Sequence, residues 1–352
     1  MNGNDWSQRL ALEQLFLGYR VTQSIYVVAR LGIADLLQEG PRTSEDLARV
    51  TATQASSLYR VLRLLAAVGL FTEGEGHSFA LTPRGSYLRS GVPGSMHNMV
   101  LFFGDREHWQ VWGELLRSVE TGEPAYRHVF GLTVWEYHAQ HPEQAALFND
   151  FETEYTAGLA PAVAAAYDFS ACGTLVDVGG GRGQLLAAIL RAYPTLHGLL
   201  IDLPHVVEGA PGLLQAAGVA DRCEVIGGDA FADLPVGDAY LLSRVIRGWG
   251  DERSTALLVR CRQSMRPSGK VLLLERVVPT SGLPEPLAMQ SDVNLLVTAG
   301  GKERTDTEYH ALLNTAGLEF TRLIPVLPPY YLIEARMYDG AGKSAESERL
   351  SH

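Results

Sequence analysis

The chain has 352 residues, of which 46% are hydrophobic and 20% charged, enough material for two compact domains with ordinary cores. Its formal charge of −11 argues against nucleic acid or an anionic membrane as partner, because phosphate binding needs a basic surface. Cys172, Cys223 and Cys261 are scattered without C-x-x-C spacing, which points away from a zinc site or a disulfide framework and towards a reducing, cytoplasmic setting.

The start, MNGNDWSQRL, lacks the basic-then-apolar pattern of a signal peptide, and no apolar run approaches the ~20 residues that a bilayer span needs. From about Trp6 to Arg89 the chain reads as helix after helix. LEQLFLGYRVTQSIYVVARLGIADLL carries apolar residues at i, i+3, i+4 and i+7, RTSEDLARV opens with Thr43 and Ser44 as caps, and QASSLYRVLRLLAAVGLF is a third amphipathic helix ending at Gly69. LFTEGEGHSFALTPRGSYL then reads as a pair of short strands around Gly74 and Gly76. Helix, turn, helix and a small β wing form a winged-helix pattern. The third helix offers only Arg60 and Arg63 as basic residues, so dimerisation or a lid role fits that shape better than DNA binding. From Met96 to about Tyr167 the chain is helical again, with aromatics interleaved in EHWQVWGELL and TVWEYHAQHPEQAALFNDFETEY. Aromatics at that spacing are mostly core, and they can also wall in a flat substrate.

From Cys172 short apolar strands alternate with helices: TLVDV, GLLID, CEVIGG, AYLLSRV, KVLLLERVV and YYLIEARM. That alternation predicts an α/β, doubly wound Rossmann-like parallel sheet, whose ligands lie beyond the carboxyl ends of the strands. LVDVGGGRGQLLAAIL is strand, glycine turn, helix. Gly179, Gly181 and Gly183 permit a tight turn and close approach of a ligand to the backbone. The dinucleotide pattern G-x-G-x-x-G fails, because Gln184 occupies the last glycine position. G-x-G-x-G with an acid two residues before it suits a nucleoside without a pyrophosphate. The next strand ends in Asp202, followed by Leu203, where a carboxylate can accept both ribose hydroxyls. The third ends in GGDAF, placing Asp229 and Ala230 beside an adenine. Any one of these aspartates could be a mere cap or turn residue; consecutive strand ends carrying all three features argue for a site.

LVDVGGGRGQ, LIDLPHVV, GGDAF, W-G-D-E after the fourth strand and GGKERT at 300–305 together resemble the S-adenosylmethionine-dependent O-methyltransferases of the caffeate and bacterial polyketide type. LLRSVETGEPAY is similar to bacterial members acting on aromatic natural products. The resemblance covers nearly the whole chain and implies a cytoplasmic homodimer. It also implies a winged-helix-like dimerisation domain at 1–93, a helical linker at 94–166 contributing pocket wall, and a cofactor-binding sheet at 167–338. The polar tail, 339–352, is expected to be disordered. S-adenosylmethionine would contact Gly179, Gly181, Asp202, Leu203, Asp229, Ala230 and Ser243, with Thr156 from the linker nearby and S-adenosylhomocysteine as product. No cluster of Asp, Glu or His suggests a metal.

One departure stands out. In the family the loop after the fourth strand usually reads V-L-H-D-W, its histidine takes the proton of a substrate hydroxyl, and two glutamates hold the ring. Here the loop is V-I-R-G-W: the glutamate positions remain as Glu275 and Glu303, while Arg247 replaces the histidine and Gly248 the aspartate. Arginine stays protonated and cannot accept that proton; the expected structural role is an ion pair with Glu275 and Glu303. Three accounts of the chemistry follow. Arg247 favours the phenolate of the acceptor, with proximity supplying the rest. Alternatively Glu152, where relatives place a packing methionine, is the base, with His97 and His108 behind it. Or the fold retains its cofactor and no longer methylates, carrying out hydroxylation or ring formation instead. A guanidinium facing the pocket also suits an aromatic hydroxy acid, free or presented as a thioester by a carrier protein.

Overall fold

In the computed structural model, which describes residues 3–282 and 285–338, the chain divides into two compact units. One runs through Gln110 and takes in Ala146–Gly158; the other holds Val111–Ala145 and continues from Leu159. The tail expected to be disordered lies outside the described residues. Among the described residues no helix is long and apolar enough to cross a membrane.

The first unit is mostly helical. Thr43 caps the helix Ser44–Val50, its Oγ1 accepting the Asp46 N–H at 3.1 Å, and Gln54 does the same for Ala55–Ala67. The apolar stripes of these helices and of Gly18–Arg30 close on Leu47, Leu58, Leu62 and Leu65, all nearly or fully buried. Strands β1 (Arg42–Thr43), β2 (Phe71–Gly74) and β3 (Ser78–Leu81) form an antiparallel wing in the order β1-β3-β2, with Phe71 and Phe79 turned into that core. Gly85 is required here: a Cβ would fall 2.0 Å from the Leu70 carbonyl oxygen. The wing expected around Gly74 and Gly76 is therefore present, with a third strand added.

The second unit is built on a twisted sheet of β4 (Thr174–Val178), β5 (His197–Asp202), β6 (Cys223–Gly227), β7 (Gly237–Ser243), β8 (Met265–Val278), β9 (Arg304–Thr305), β10 (Leu318–Leu327) and β11 (Tyr330–Met337). The order is β10-β11-β8-β7-β4-β5-β6, with β9 alongside β8. Strands β4 to β8 pair in parallel, and their central residues Val176, Leu200, Leu241 and Leu273 are fully buried, as strands covered on both faces require. The sheet is mixed where a parallel one was expected: β11 runs antiparallel to β8, and β10 antiparallel to β11. Strand β10 was not foreseen, because LEFTRLIPVL mixes charges and Pro325 into its apolar positions and lies at the sheet edge, where proline and charge are tolerated. The register sets Asp202 opposite Gly227 and Ser243 opposite Leu274, so the ends of β4 to β8 finish along one rim. Helices between Leu115 and Gln140 belong to this unit and pack on Pro286–Thr298 around Tyr126, Val134 and Val297.

Candidate active site

Along that rim the sequence-predicted residues fall into two groups. In the first, Gly179, Gly181 and Gly183 all adopt left-handed backbone, with φ of 68°, 62° and 82°. Gly183 then leads into the helix Gln184–Ala192. A Cβ on Gly179 would lie 2.8 Å from the Val245 side chain, whereas nothing stands within 4 Å of a Cβ on Gly181 or Gly228. The turn is thus closed towards the protein and open in front of Gly181, as backbone recognition of a ligand demands. Asp202 binds this turn together: Oδ2 accepts the Gly181 N–H at 2.8 Å and Oδ1 the Leu203 N–H at 2.7 Å. Burial raises its pKa, opposed by those two amide bonds. Each oxygen has a second lone pair, so a vicinal diol can still be accepted.

Behind the turn, Asp177 is fully buried and neither carboxylate oxygen has a hydrogen-bond partner. Burial, with the Asp202 charge adding to it, pushes its pKa up to about 7. Asp229 sits exposed after β6 and accepts the Phe231 N–H at 2.9 Å, which orients Ala230 and Phe231. The Arg253 guanidinium lies over both the Phe231 and Trp249 rings, at 4.4 and 4.2 Å. Ser243 ends β7.

The second group is the loop after β7. Arg244 takes a left-handed φ of 58°, Ile246–Gly248 forms one 3₁₀ turn, and the helix Asp251–Ser264 follows. Nη1 of Arg247 lies 3.3 Å from Oε1 of Glu303 and 3.3 Å from the Ser291 hydroxyl, which itself donates to Glu303 Oε1 at 2.6 Å. Arg276 approaches the same oxygen at 3.6 Å and lies over the Tyr330 ring. Glu303 in turn is fixed by its own N–H, which donates to Asp292 at 2.8 Å.

Glu275 behaves differently from expectation. It meets Arg247 through the backbone and not the guanidinium: Oε1 accepts the N–H groups of Ile246 at 2.9 Å and Arg247 at 3.4 Å. The physical reason is its fully buried place on β8, three residues before the strand ends, where the loop amides are donors within reach. Burial raises its pKa to about 8; the Arg247 charge opposes that and the Glu303 charge adds to it. Of the two expected ion pairs, the one to Glu303 forms and the one to Glu275 does not, Glu275 serving as an anchor for the loop.

Glu152 and Thr156 lie one turn apart on a single face of the helix Pro142–Ala166, in the stretch that packs with the first unit. His97, a fallback base, hydrogen-bonds through Nδ1 to the Leu88 carbonyl at 3.2 Å. His108 is buried against Phe102 and Phe103, and burial lowers its pKa to about 4. Ser291, Arg276, Gly301 and Arg304 were missed. Gly301 and Arg304 stand inside GGKERT, but nothing in that run marks them as partners of a loop more than fifty positions earlier.

Residues 112–319 match the O-methyltransferase domain family, and residues 13–91 match the O-methyltransferase dimerisation domain. The chain is 42% identical to phenazine O-methyltransferase PhzM of Lysobacter antibioticus, over 92% of this chain and 95% of that protein. It superposes on the mitomycin 7-O-methyltransferase MmcR with a TM-score of 0.91, at 35% identity, covering 96% of this chain and 100% of the other. The O-methyltransferase NcsB1 from neocarzinostatin biosynthesis, solved with S-adenosylmethionine and 2-hydroxy-5-methyl naphthoic acid, gives a TM-score of 0.79 at 31% identity, covering 91% and 96%.

Proposed function

The chain belongs to the O-methyltransferase family, and from that premise we propose that it transfers a methyl group from S-adenosylmethionine to a hydroxyl of an aromatic, carboxylate-bearing, polyketide-derived natural product, as a homodimer. It is an S-adenosylmethionine-dependent methyltransferase, and its relatives act on aromatic natural products. The open face of Gly181 and the carboxylate of Asp202 at the same turn fit a nucleoside donor. Gly179, Gly181, Leu203, Ala230 and Ser243 would line it, Asp202 would hold the ribose hydroxyls and Asp229 would sit beside the base. When bound, S-adenosylmethionine supplies an electrophilic methyl group on a sulfonium.

The observation that carries the proposal on the acceptor side is Arg247, held by Glu303 and Ser291. A fixed guanidinium beside a phenol favours the phenolate by ~1–3 pKa units, which raises the fraction of nucleophile without a base. Holding reactants in line can supply ~7–11 kcal/mol, more than the ~10²–10⁴-fold of a positioned base. A permanently charged guanidinium on this loop suits a carboxylate on the acceptor. A free acid fits better than a carrier-bound thioester, because the thioester removes that negative charge.

Methyl-labelled S-adenosylmethionine with ortho-hydroxy aromatic acids and their decarboxylated analogues tests this. Label should move to the acids at least tenfold faster than to the simple phenols; equal rates remove the carboxylate from the proposal. Cofactor binding with no label moving to any acceptor, and product formed nonetheless, favours the non-methylating reading that the rewritten loop also fits. Full kcat across pH 6 to 9 in Glu152→Gln would show that Glu152 is not the base.

A further inference from the structure

Glu303 and Arg304 are consecutive, and they hold the same loop in two ways. Glu303 takes the Arg247 guanidinium. Arg304, whose side chain is fully buried, takes the loop backbone: Nη1 donates to the Ile246 carbonyl at 3.2 Å and Nη2 to the Trp249 carbonyl at 2.9 Å. Nε and Nη2 also reach Oδ1 of Asp251 at 3.0 and 2.8 Å, and Nη2 the Ser254 hydroxyl at 3.3 Å. These carbonyls lie in a tight turn before the helix Asp251–Ser264: the Ile246 carbonyl also accepts the Trp249 N–H at 3.2 Å, and the Ser254 hydroxyl lies 3.2 Å from both, so Arg304 adds a charged donor to each from outside the turn. A planar guanidinium with five N–H groups can serve several acceptors at once; an ammonium cannot match that fork.

The neighbouring residues act in the same sense. The Lys302 N–H donates to the Arg247 carbonyl at 3.0 Å, and Lys302 Nζ pairs with Asp251 at 3.2 Å. Gly301 has no room for a Cβ, which would sit 1.9 Å from the Arg247 carbonyl oxygen. At its other end the loop is stopped by Val245 against Gly179.

We infer that Arg304 is the positioning residue of the Ile246–Asp251 loop: it fixes the backbone from which Arg247 projects, while Glu303 fixes the Arg247 side chain. The consequence for turnover rests on the role proposed above for Arg247; the consequence for the loop does not.

Hydrogen–deuterium exchange on the full-length protein, with and without S-adenosylhomocysteine, tests the second consequence directly. In wild type the amides of Ile246, Arg247, Gly248 and Trp249 are all hydrogen-bonded. Arg304→Lys and Asp251→Asn should each raise exchange in peptides over 244–250 by tenfold or more, while peptides over 174–190 keep theirs. Unchanged loop exchange, or a uniform rise in both regions, overturns the inference. Should Arg304→Lys not fold, Asp251→Asn decides, since that side chain is 61% exposed. With an aromatic hydroxy acid that wild type methylates, Arg304→Lys should lower kcat about tenfold, leave KM for S-adenosylmethionine within twofold, and add nothing in an Arg247→Met background; an equal fall in that background also overturns it. If wild type methylates no such acid, the proposed acceptor fails while the exchange result still judges Arg304.

Discussion

Arg247 and Glu303 are joined through one oxygen: Oε1 of Glu303 receives both the guanidinium, at 3.3 Å, and the Ser291 hydroxyl, at 2.6 Å. A permanently protonated group is thereby held at the position where the family resemblance implies an imidazole. The wild-type rate should accordingly follow the ionisation of the acceptor, with no limb contributed by residue 247. Arg247→His should introduce one: kcat/KM, followed from pH 5.5 to 9 with a methylated acceptor, should rise through a pKa at or above ~6.5, since a carboxylate partner favours the imidazolium. Superimposable profiles for the two proteins would exclude residue 247 from proton handling.

Gly179→Ala should cost the enzyme its cofactor. Its φ of 68° penalises a side chain by roughly 1–2 kcal/mol, and the added Cβ would stand 2.8 Å from Val245. The turn and the loop cannot both keep their places. Calorimetry with S-adenosylhomocysteine should show affinity falling about tenfold or more. Gly212→Ala, where a Cβ meets nothing within 4 Å, is the control and should bind as wild type does.

Both glycine-turn and strand-end residues were legible in the sequence, because their chemistry follows from local pattern: glycine where the backbone must turn back, an acid where a strand ends. Asp202 carries that logic visibly, bonded to Gly181 and Leu203. That Arg247 stands where a histidine was expected was implied by the family resemblance, which said nothing of how Arg247 meets its surroundings. Glu275 looked like a partner for the guanidinium, yet its burial gives it the loop amides instead. Arg304 binds backbone carbonyls, which every residue type possesses, so no spacing announces it. The edge strand β10 stayed hidden for a related reason: its solvated face relaxes the hydrophobic pattern by which strands are recognised.

The pKa of Glu275 predicts how stability depends on pH on the alkaline side. Its folded value, about 8, exceeds its ordinary 4.5. The folded state therefore holds a proton that the unfolded chain releases, and the contribution is complete below about 4.5 and lost as pH rises through 8. Glu275→Gln keeps an oxygen for the Ile246 and Arg247 amides without the ionisable proton. The variant should match wild type near pH 5 and exceed it at pH 9, by on the order of a few kcal/mol. Urea unfolding at the two pH values measures the difference; a gap independent of pH would mean that Glu275 is ionised in the fold throughout.

The acid side belongs to Glu334 on β11. Burial alone would raise its pKa, but Arg322 donates to both its oxygens, at 3.2 and 2.7 Å. Tyr167 and Thr321 add hydroxyl bonds at 2.6 and 2.7 Å, and Lys270 lies 3.3 Å away. Together these hold the pKa down to about 2, below the ordinary 4.5. The sign is opposite to that of Glu275: the contribution is present above about 4.5 and lost as pH falls towards 2. Glu334→Gln should lower Tm by several degrees at pH 7, because it leaves Arg322 and Lys270 without their shared charge. The gap between the two proteins should close as the buffer is taken down to pH 2.5. Calorimetric scans at pH 7, 4 and 2.5 read it, and a gap that persists undiminished at pH 2.5 would refute the ion-pair origin of the effect.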